Sequence, residues 1–183
     1  MPARIAVVGT TCAGKTTVAK RLAERHGVPH VELDALHWGP GWSEPSDEEF
    51  RERVQEALAG DAWVADGGYH GKLGDLVLER AELVVWLDPP LPTVLRRLGS
   101  RTARRVRSGE ELWGGNRETW RGTFLSRESL FLWALKTHRP RRARYEERLA
   151  GYNVVRLRSA RETQDWLDGA ILTGESQALR SQP

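Results

Sequence analysis

Short apolar runs rich in β-branched residues alternate along the chain with stretches in which apolar residues recur three and four positions apart. The first pattern is typical of buried parallel strands, and the second is typical of helices that pack on a sheet. Five strands are predicted, at Arg4–Val8, Pro29–Leu33, Ala62–Ala65, Leu83–Leu87 and Tyr152–Leu157. The alternation predicts an α/β fold of three layers, in which helices cover both faces of a parallel five-stranded sheet.

Helix signals stand between the strand runs. The stretch Thr16–His26 places its small and apolar residues on one face, which predicts a helix after the first strand. Ser46 and Glu49 have the spacing of a capping box, and Ser159 and Glu162 repeat that spacing before a last short helix. These signals agree with the predicted alternation of strands and helices.

The segment between the fourth and fifth strands is long, helical in pattern and rich in arginine. It predicts two or three helices with hinges near Gly109 and at Gly114–Gly115, and we interpret it as a mobile cover, or lid, over a phosphate site. No repeat or linker divides the chain. We therefore predict one domain over residues 1–172, with the lid over about 92–150 and a disordered tail over 173–183.

Composition narrows the class of protein. The chain has 183 residues, enough for a hydrophobic core, and its single cysteine excludes an intramolecular disulfide framework and a cysteine-built zinc site. No apolar run approaches the roughly 20 residues of a membrane-spanning helix, and the first strand begins too early to leave room for a signal peptide. We expect a cytoplasmic protein without a membrane partner.

Positive charge is concentrated in the lid segment. The net charge of the chain is only +3, but residues 96–148 hold 15 Lys and Arg against 6 Asp and Glu. Such a block indicates phosphates nearby, on a nucleotide or on nucleic acid. A solvated helical surface is the alternative interpretation.

A phosphate-binding motif stands between the first strand and the first helix. It matches G-x-x-x-x-G-K-[ST] and, with the next threonine, comprises Gly9, Thr10, Thr11, Cys12, Ala13, Gly14, Lys15, Thr16 and Thr17. The glycines let backbone N–H groups surround phosphate oxygens at the start of a helix. The Lys15 ammonium is expected to bridge the phosphates, and the Thr16 hydroxyl to bind Mg²⁺. The motif predicts a P-loop NTPase fold that uses ATP and Mg²⁺.

The P-loop and the arginine-rich segment after the fourth strand together resemble the small P-loop kinases of the adenylate kinase and shikimate kinase group. The resemblance implies a lid helix whose arginines close over the nucleotide. Arg97 and Arg101 stand where such kinases carry an adenine-stacking and a phosphate-binding arginine, and Arg104 and Arg105 are further lid candidates. In this comparison Arg101 is also a candidate catalytic residue.

Three further segments narrow the resemblance. They are Asp34–Trp42, Asp66–Tyr69 and Leu112–Glu118. Over most of its length, to about Leu167, the chain is similar to the bacterial adenylate-kinase-like proteins labelled DNA topology modulation proteins. That label names a proposed effect and implies no particular reaction.

Two aspartates follow predicted strands at the edge of the sheet where ligands of open α/β folds bind. Asp34 is a candidate catalytic residue that accepts a proton from an acceptor hydroxyl. Asp66 is a candidate Mg²⁺ ligand together with Thr16, as the resemblance to similar kinases implies. For both aspartates a helix cap is the alternative, and for Asp88 a cap of the lid helix is the preferred interpretation.

Two lid arginines complete the candidate site. Arg117 could stabilise transition-state charge, with a surface pair to a glutamate as the alternative. Of the four arginines at positions 139, 141, 142 and 144, we select Arg142 for the site.

The loops after the second and third strands indicate which kind of acceptor molecule the protein binds. The tryptophans Trp38 and Trp42, with His37, could wall the acceptor or simply pack their own loop. In adenylate kinases the loop after the third strand carries an arginine that binds the phosphate of AMP, but here it reads Gly67–His70. This departure favours a small hydroxylated acceptor, unless arginines from elsewhere compensate.

These features predict a kinase that moves the γ-phosphoryl group of ATP to a small hydroxylated or nucleotide acceptor. The alternative is a regulatory ATPase that binds nucleic acid through its basic block. Neither a helix-turn-helix nor an aromatic RNA-binding signature is present in the sequence, which favours the kinase.

Overall fold

A computed structural model describes residues 3–117 and 130–178. Its centre is a five-stranded sheet with the order β2-β3-β1-β4-β5, and every neighbouring pair is parallel. The strands are β1 (Arg4–Gly9), β2 (His30–Glu32), β3 (Trp63–Asp66), β4 (Leu83–Leu87) and β5 (Val154–Leu157). The predicted parallel α/β sheet is confirmed.

The helices are α1 (Lys15–His26), α2 (Leu33–His37), α3 (Asp47–Ala57), α4 (His70–Leu73), α5 (Leu76–Arg80), α6 (Leu91–Ser108), α7 (Leu130–Arg148) and α8 (Ala160–Ala178). The capping box that begins α3 is present, since Ser46 and Glu49 bond each other's backbone N–H. The helix α8 continues beyond Thr173, where the sequence pattern predicts the tail to begin.

Apolar residues fill both sides of the sheet. The helices α1 and α8 pack on one face against Ile5, Val7 and Val85, while α5 and α7 pack on the other against Ala6 and Trp86. Trp63 and Trp86 are buried, as their strand positions predict. Burial on both faces explains why the strands read as continuous apolar runs without polar alternation.

The lid segment is formed by α6, a 3-10 turn at Trp113–Gly115 and α7. The helix α6 ends at Ser108, and the next residue, Gly109, has a φ of 62°, the left-handed conformation common after a helix. The α6 residues Val94 and Leu98 pack against Ala134 of α7. No helix in the described part of the chain combines the length and apolar character needed to cross a membrane.

The register of the strands brings polar residues to one edge of the sheet. Asp66 of β3 lies opposite Val7 of β1 and Glu32 of β2. The phosphate-binding loop begins at Gly9, the last residue of β1. The carboxylates of β2 and β3 therefore lie beside this loop.

Candidate active site

The phosphate-binding loop depends on glycine at both of its ends. Gly9 has a φ of +147°, and a Cβ there would lie 2.4 Å from the carbonyl oxygen of Leu87. Gly14 has a φ of +105° and immediately precedes α1. A larger residue at either position would be strained, and at Gly9 it would also clash with β4.

The Lys15 side chain lies beneath the loop. Its Nζ donates to the carbonyl oxygen of Thr10 at 3.1 Å. Burial lowers the pKa of Lys15, while the nearby charges of Asp34 and Asp66 act in the opposite direction. Water screens this partly buried ammonium less than an exposed one, so a phosphate placed there would interact with it strongly.

A chain of hydrogen bonds joins α1 to β3. The Thr16 hydroxyl donates to Asp66 Oδ2 at 2.7 Å, and Glu32 Oε1 lies 3.4 Å from the same hydroxyl. The other Asp66 oxygen lies 2.8 Å from His30 Nε2, and Asp66 is only 3% exposed. Three oxygen-bearing side chains thus converge beside the loop, and oxygen is the donor that Mg²⁺ prefers.

Asp34 lies in the first turn of α2 and does not cap that helix. The N-cap position is Glu32, which makes no side-chain capping bond. Asp34 instead accepts a hydrogen bond of 2.6 Å from the Tyr69 hydroxyl. Burial and the negative charge of Asp34 raise the pKa of Tyr69, so the phenol keeps its proton and remains a donor. Asp34 also borders the same cavity as Lys15 and Thr16.

That cavity has a volume of about 1020 Å³ and lies between the phosphate-binding loop, α6 and α8. Of the predicted nucleotide-binding residues, Thr11 to Thr17, Arg97 and Arg101 line it, while Gly9 and Thr10 form the buried start of the loop. Arg97 Nη1 donates to the carbonyl oxygen of Ala13 at 2.6 Å, so it braces the loop. The cavity is large and basic enough for a nucleoside triphosphate.

The structure does not bring Arg117 and Arg142 to this cavity. Arg117 Nη2 contacts Glu111 Oε1 at 2.6 Å on the surface. Arg117 thus forms a surface ion pair with a glutamate, which is the alternative stated above. Arg142 Nη2 contacts Asp88 Oδ2 at 3.0 Å, and Arg156 binds the same carboxylate at 2.6 Å. Asp88 therefore anchors α7 to β5, and its expected role as a cap of α6 is wrong.

Three further residues lie beside the candidate site that the sequence does not predict there. The first is Glu32, a strand residue that lies beside Thr16 only because of the order of the strands in the sheet. The second is Tyr69, which is separated by 35 residues in sequence from Asp34, its hydrogen-bond partner. The third is Arg141: we predict Arg142 for the site, but it is Arg141 whose Nη2 would lie 3.5 Å from a Cβ on Gly68. The spacing of Arg141 four residues before the buried Tyr145 is the signal that it faces the sheet.

In the loop after β2, the aromatic side chains range from the buried His37 to the exposed Trp42. His37 is buried and contacts the rings of Trp38, Phe50 and Tyr69. Burial lowers the pKa of His37 and Lys72 lowers it further. Trp42 is 39% exposed. His37 therefore packs against Phe50 of α3 and against the ring of Tyr69, while the role of the two tryptophans stays a prediction.

Comparison with known proteins places the chain in a family. The family model described as an AAA domain matches residues 5–119, which is more than half of the chain, and the chain belongs to that family. A protein of Pyrococcus furiosus named "Putative adenylate kinase" is 31% identical over 115 residues, or 59% of this chain. The chain matches about 61% of that relative's length.

Solved structures share the fold. The chain is similar to shikimate kinase from Acinetobacter baumannii in complex with shikimate, with a TM-score of 0.58, 19% identity and coverage of 96% of this chain and 94% of that one. For shikimate kinase from Bacteroides thetaiotaomicron the TM-score is 0.55 and the identity 15%, with coverage of 96% of this chain and 99% of that one. For deoxyadenosine kinase from M. mycoides the TM-score is 0.58 and the identity 11%, with coverage of 94% of this chain and 99% of that one. The chain thus shares the fold of these three proteins.

Proposed function

We propose that the protein is an ATP-dependent kinase that transfers the γ-phosphoryl group to a hydroxyl of a small molecule. One observation carries the proposal: Asp34, Lys15 and Thr16 border a single cavity. The first is a proton acceptor, and the other two belong to the phosphate-binding loop. The kinase names of the relative and of the structures similar in fold support the same reaction class.

The residues beside the loop fit Mg²⁺. Thr16, Asp66 and Glu32 would hold it, and His30 keeps Asp66 in place through its second oxygen. When bound, the ion would neutralise phosphate charge. Lys15 would add a fixed positive charge at the same phosphates, and Arg101 would add another from α6.

In the proposed reaction the acceptor oxygen forms a bond to the γ-phosphorus, the bond from that phosphorus to the β–γ bridging oxygen breaks, and ADP leaves. The hydroxyl proton passes to Asp34, whose second role is to hold that hydroxyl in line. Tyr69 would keep the carboxylate oriented through its hydrogen bond. We further propose, from the single cysteine and the nature of the substrates, that the reaction takes place in the cytoplasm.

The test is transfer from labelled ATP to a panel of nucleosides, sugars and hydroxy acids, followed by single-turnover kinetics of Asp34→Asn with the accepted compound. We expect the transfer rate to fall by about 10²–10⁴-fold while ATP affinity stays nearly constant. Asp61→Asn is the matched control, because Asp61 is exposed in the loop before β3. A rate within threefold of the unmodified protein would remove Asp34 from the mechanism.

A further inference from the structure

Two polar side chains of β2, a strand at the edge of the sheet, face α1. His30 and Glu32 alternate along β2 with Val31, which packs with Phe50 on the other face of the sheet. Since side chains alternate between the two faces of a strand, His30 and Glu32 share the α1 face. His30 is not among the residues that border the cavity of about 1020 Å³ proposed for the nucleotide, the nucleotide cavity. It therefore acts on that cavity through another residue.

His30 is bonded to one oxygen of Asp66. Its Nε2 lies 2.8 Å from Asp66 Oδ1. A carboxylate only accepts hydrogen bonds, so the hydrogen lies on Nε2 and His30 is the donor. The side chain of His30 is 16% exposed and that of Asp66 is 3% exposed, so little water competes for this bond. The bond therefore fixes the position of Oδ1.

The second oxygen of Asp66 lies on the side of the phosphate-binding loop. The Thr16 hydroxyl donates to Asp66 Oδ2 at 2.7 Å, and Glu32 Oε1 lies 3.4 Å from that hydroxyl. Thr16, Glu32 and Asp66 are the side chains proposed above to hold Mg²⁺. The two oxygens of Asp66 thus have different neighbours, since Oδ1 is bonded to His30 and Oδ2 lies with the candidate ligands. Only Oδ2 is available to an ion held by those ligands.

The number of oxygens that one carboxylate offers distinguishes Mg²⁺ from Ca²⁺. Mg²⁺ requires a nearly ideal octahedron of oxygens at about 2.1 Å, and the two oxygens of one carboxylate lie too close together to occupy two of its corners. Ca²⁺ is larger, takes about six to eight oxygens at about 2.3–2.6 Å, and accepts a carboxylate through one oxygen or through both. A carboxylate that is restricted to one oxygen therefore suits Mg²⁺ better than Ca²⁺.

We propose that His30 is a positioning residue that restricts Asp66 to one metal-binding oxygen and thereby selects Mg²⁺ over Ca²⁺. The inference rests on the proposed function, because the ion concerned is the one that accompanies the nucleotide, and it adds the residue that determines which ion is used. Removal of the donor on His30 frees Oδ1 and leaves Asp66 able to offer both oxygens. The preference for Mg²⁺ should then fall, while the phosphate-binding loop stays unchanged.

The test is calorimetry of ADP binding with Mg²⁺, with Ca²⁺ and without either ion, which requires no transfer. The selectivity is the dissociation constant of ADP with Ca²⁺ divided by that with Mg²⁺. In His30→Met this ratio should fall about tenfold or more, as metal affinity commonly does when a residue that orients a ligand is lost. His30→Gln should restore most of the ratio, because its amide N–H can donate to Asp66 in place of Nε2. ADP affinity without either ion should stay nearly constant, since His30 does not border the nucleotide cavity.

Two further variants keep the test decisive. His30→Asn carries the same amide on a shorter side chain, so it should behave like His30→Met even if the methionine variant fails to fold. His26→Met is the control, because His26 lies at the end of α1 opposite Thr16.

The outcomes separate this inference from the kinase proposal. An unchanged ratio in His30→Asn, whether or not the Tm falls, would overturn the inference and leave the kinase proposal intact. An equal fall in His30→Gln and His30→Asn would also overturn it, because the donor would then be irrelevant. A lower ratio in His30→Asn alone, in a protein that transfers phosphate to no acceptor, would support the inference and contradict the kinase. Absence of ADP binding by the unmodified protein with either ion would contradict both.

Discussion

At the scale of single residues, Lys15 illustrates the conflict between function and stability. Its ammonium is needed to bind phosphate, but partial loss of water around it in the folded protein lowers its pKa. At a pH below the folded-state pKa, folding must bury a charge that the unfolded chain keeps in water. This cost fades as the pH rises from the folded-state pKa towards the ordinary value of lysine, so the stability of the protein should rise with pH over that window.

Lys15→Met should therefore have two opposite effects. Nucleotide affinity should fall strongly because the charge at the phosphates is lost, whereas the Tm of the protein without nucleotide should rise by about 2–4 °C at pH 7 for each kcal/mol of burial cost removed. Calorimetry with ATP–Mg²⁺ measures the loss of nucleotide affinity. Thermal unfolding at pH 7 and pH 10 measures the rise in Tm, which should be smaller at pH 10. Undiminished ATP affinity would contradict the role of the loop.

Tyr69 offers a test of how Asp34 is positioned. Tyr69→Phe keeps the ring contacts with His37 and Phe50 but removes the donor that binds Asp34 at 2.6 Å. We expect kcat to fall about tenfold or more, since hydrogen bonds to charged groups are worth about 1.5–3 kcal/mol. The KM for ATP should stay constant. Tyr152→Phe is the control, and equal kcat values for the two variants would contradict the positioning role.

At the scale of elements, hydrogen bonds of Asn116 join the 3-10 turn at Trp113–Gly115 to the 3-10 turn at Pro40–Trp42 in the loop that follows α2. The Trp42 backbone N–H donates to Asn116 Oδ1 at 3.0 Å, and Asn116 Nδ2 donates to the carbonyl oxygen of Gly39 at 2.9 Å. Asn116 is buried. Trp113, three residues earlier, lines the nucleotide cavity. The contact therefore connects a wall of the nucleotide cavity to the loop beside Asp34.

Gly114→Ala should break this contact. A Cβ at Gly114 would lie 2.6 Å from the Gly39 carbonyl carbon, whereas a Cβ at Gly115 meets nothing within 4 Å. Both glycines have positive φ, at +66° and +76°, so Gly115→Ala carries similar backbone strain without the clash. Amide hydrogen exchange around Trp42 should rise about tenfold or more in Gly114→Ala and much less in the control. Similar exchange in both variants would show that the contact is dispensable.

The elements also show what the sequence could and could not predict. Strands buried on both faces leave a local signal, and the P-loop motif is contiguous, so the sheet and the loop with Lys15 and Thr16 are predictable. The choice between Arg141 and Arg142 is different. It depends on the rotation of α7 about its axis, which is set by the packing of Tyr145 and by the ion pair from Arg142 to Asp88. The spacing of Arg141 four residues before Tyr145 indicates the right face only once Tyr145 is known to be buried.

At the scale of the whole molecule, the arrangement of positive charge bears on the nucleic-acid alternative. Arg97, Arg101, Arg104 and Arg105 line the nucleotide cavity, and Arg141, Arg144 and Arg148 of α7 line a separate cavity between α4 and α7. The charge is thus divided between two concave sites. Several arginines are also paired with carboxylates, among them Arg105 with Glu110 and Arg117 with Glu111. Nucleic-acid binding would be better served by a continuous basic stripe.

We therefore expect only weak, sequence-independent binding to duplex DNA, with a Kd of about 10⁻⁴–10⁻⁶ M at physiological salt. Fluorescence anisotropy with two unrelated duplexes at several salt concentrations measures this. The affinity should fall steeply with salt, and ATP–Mg²⁺ should weaken it further because ATP occupies the α6 arginines that DNA would need. Nanomolar binding to one duplex at physiological salt, undiminished by ATP, would instead place a nucleic-acid surface outside both cavities and contradict a purely small-molecule role.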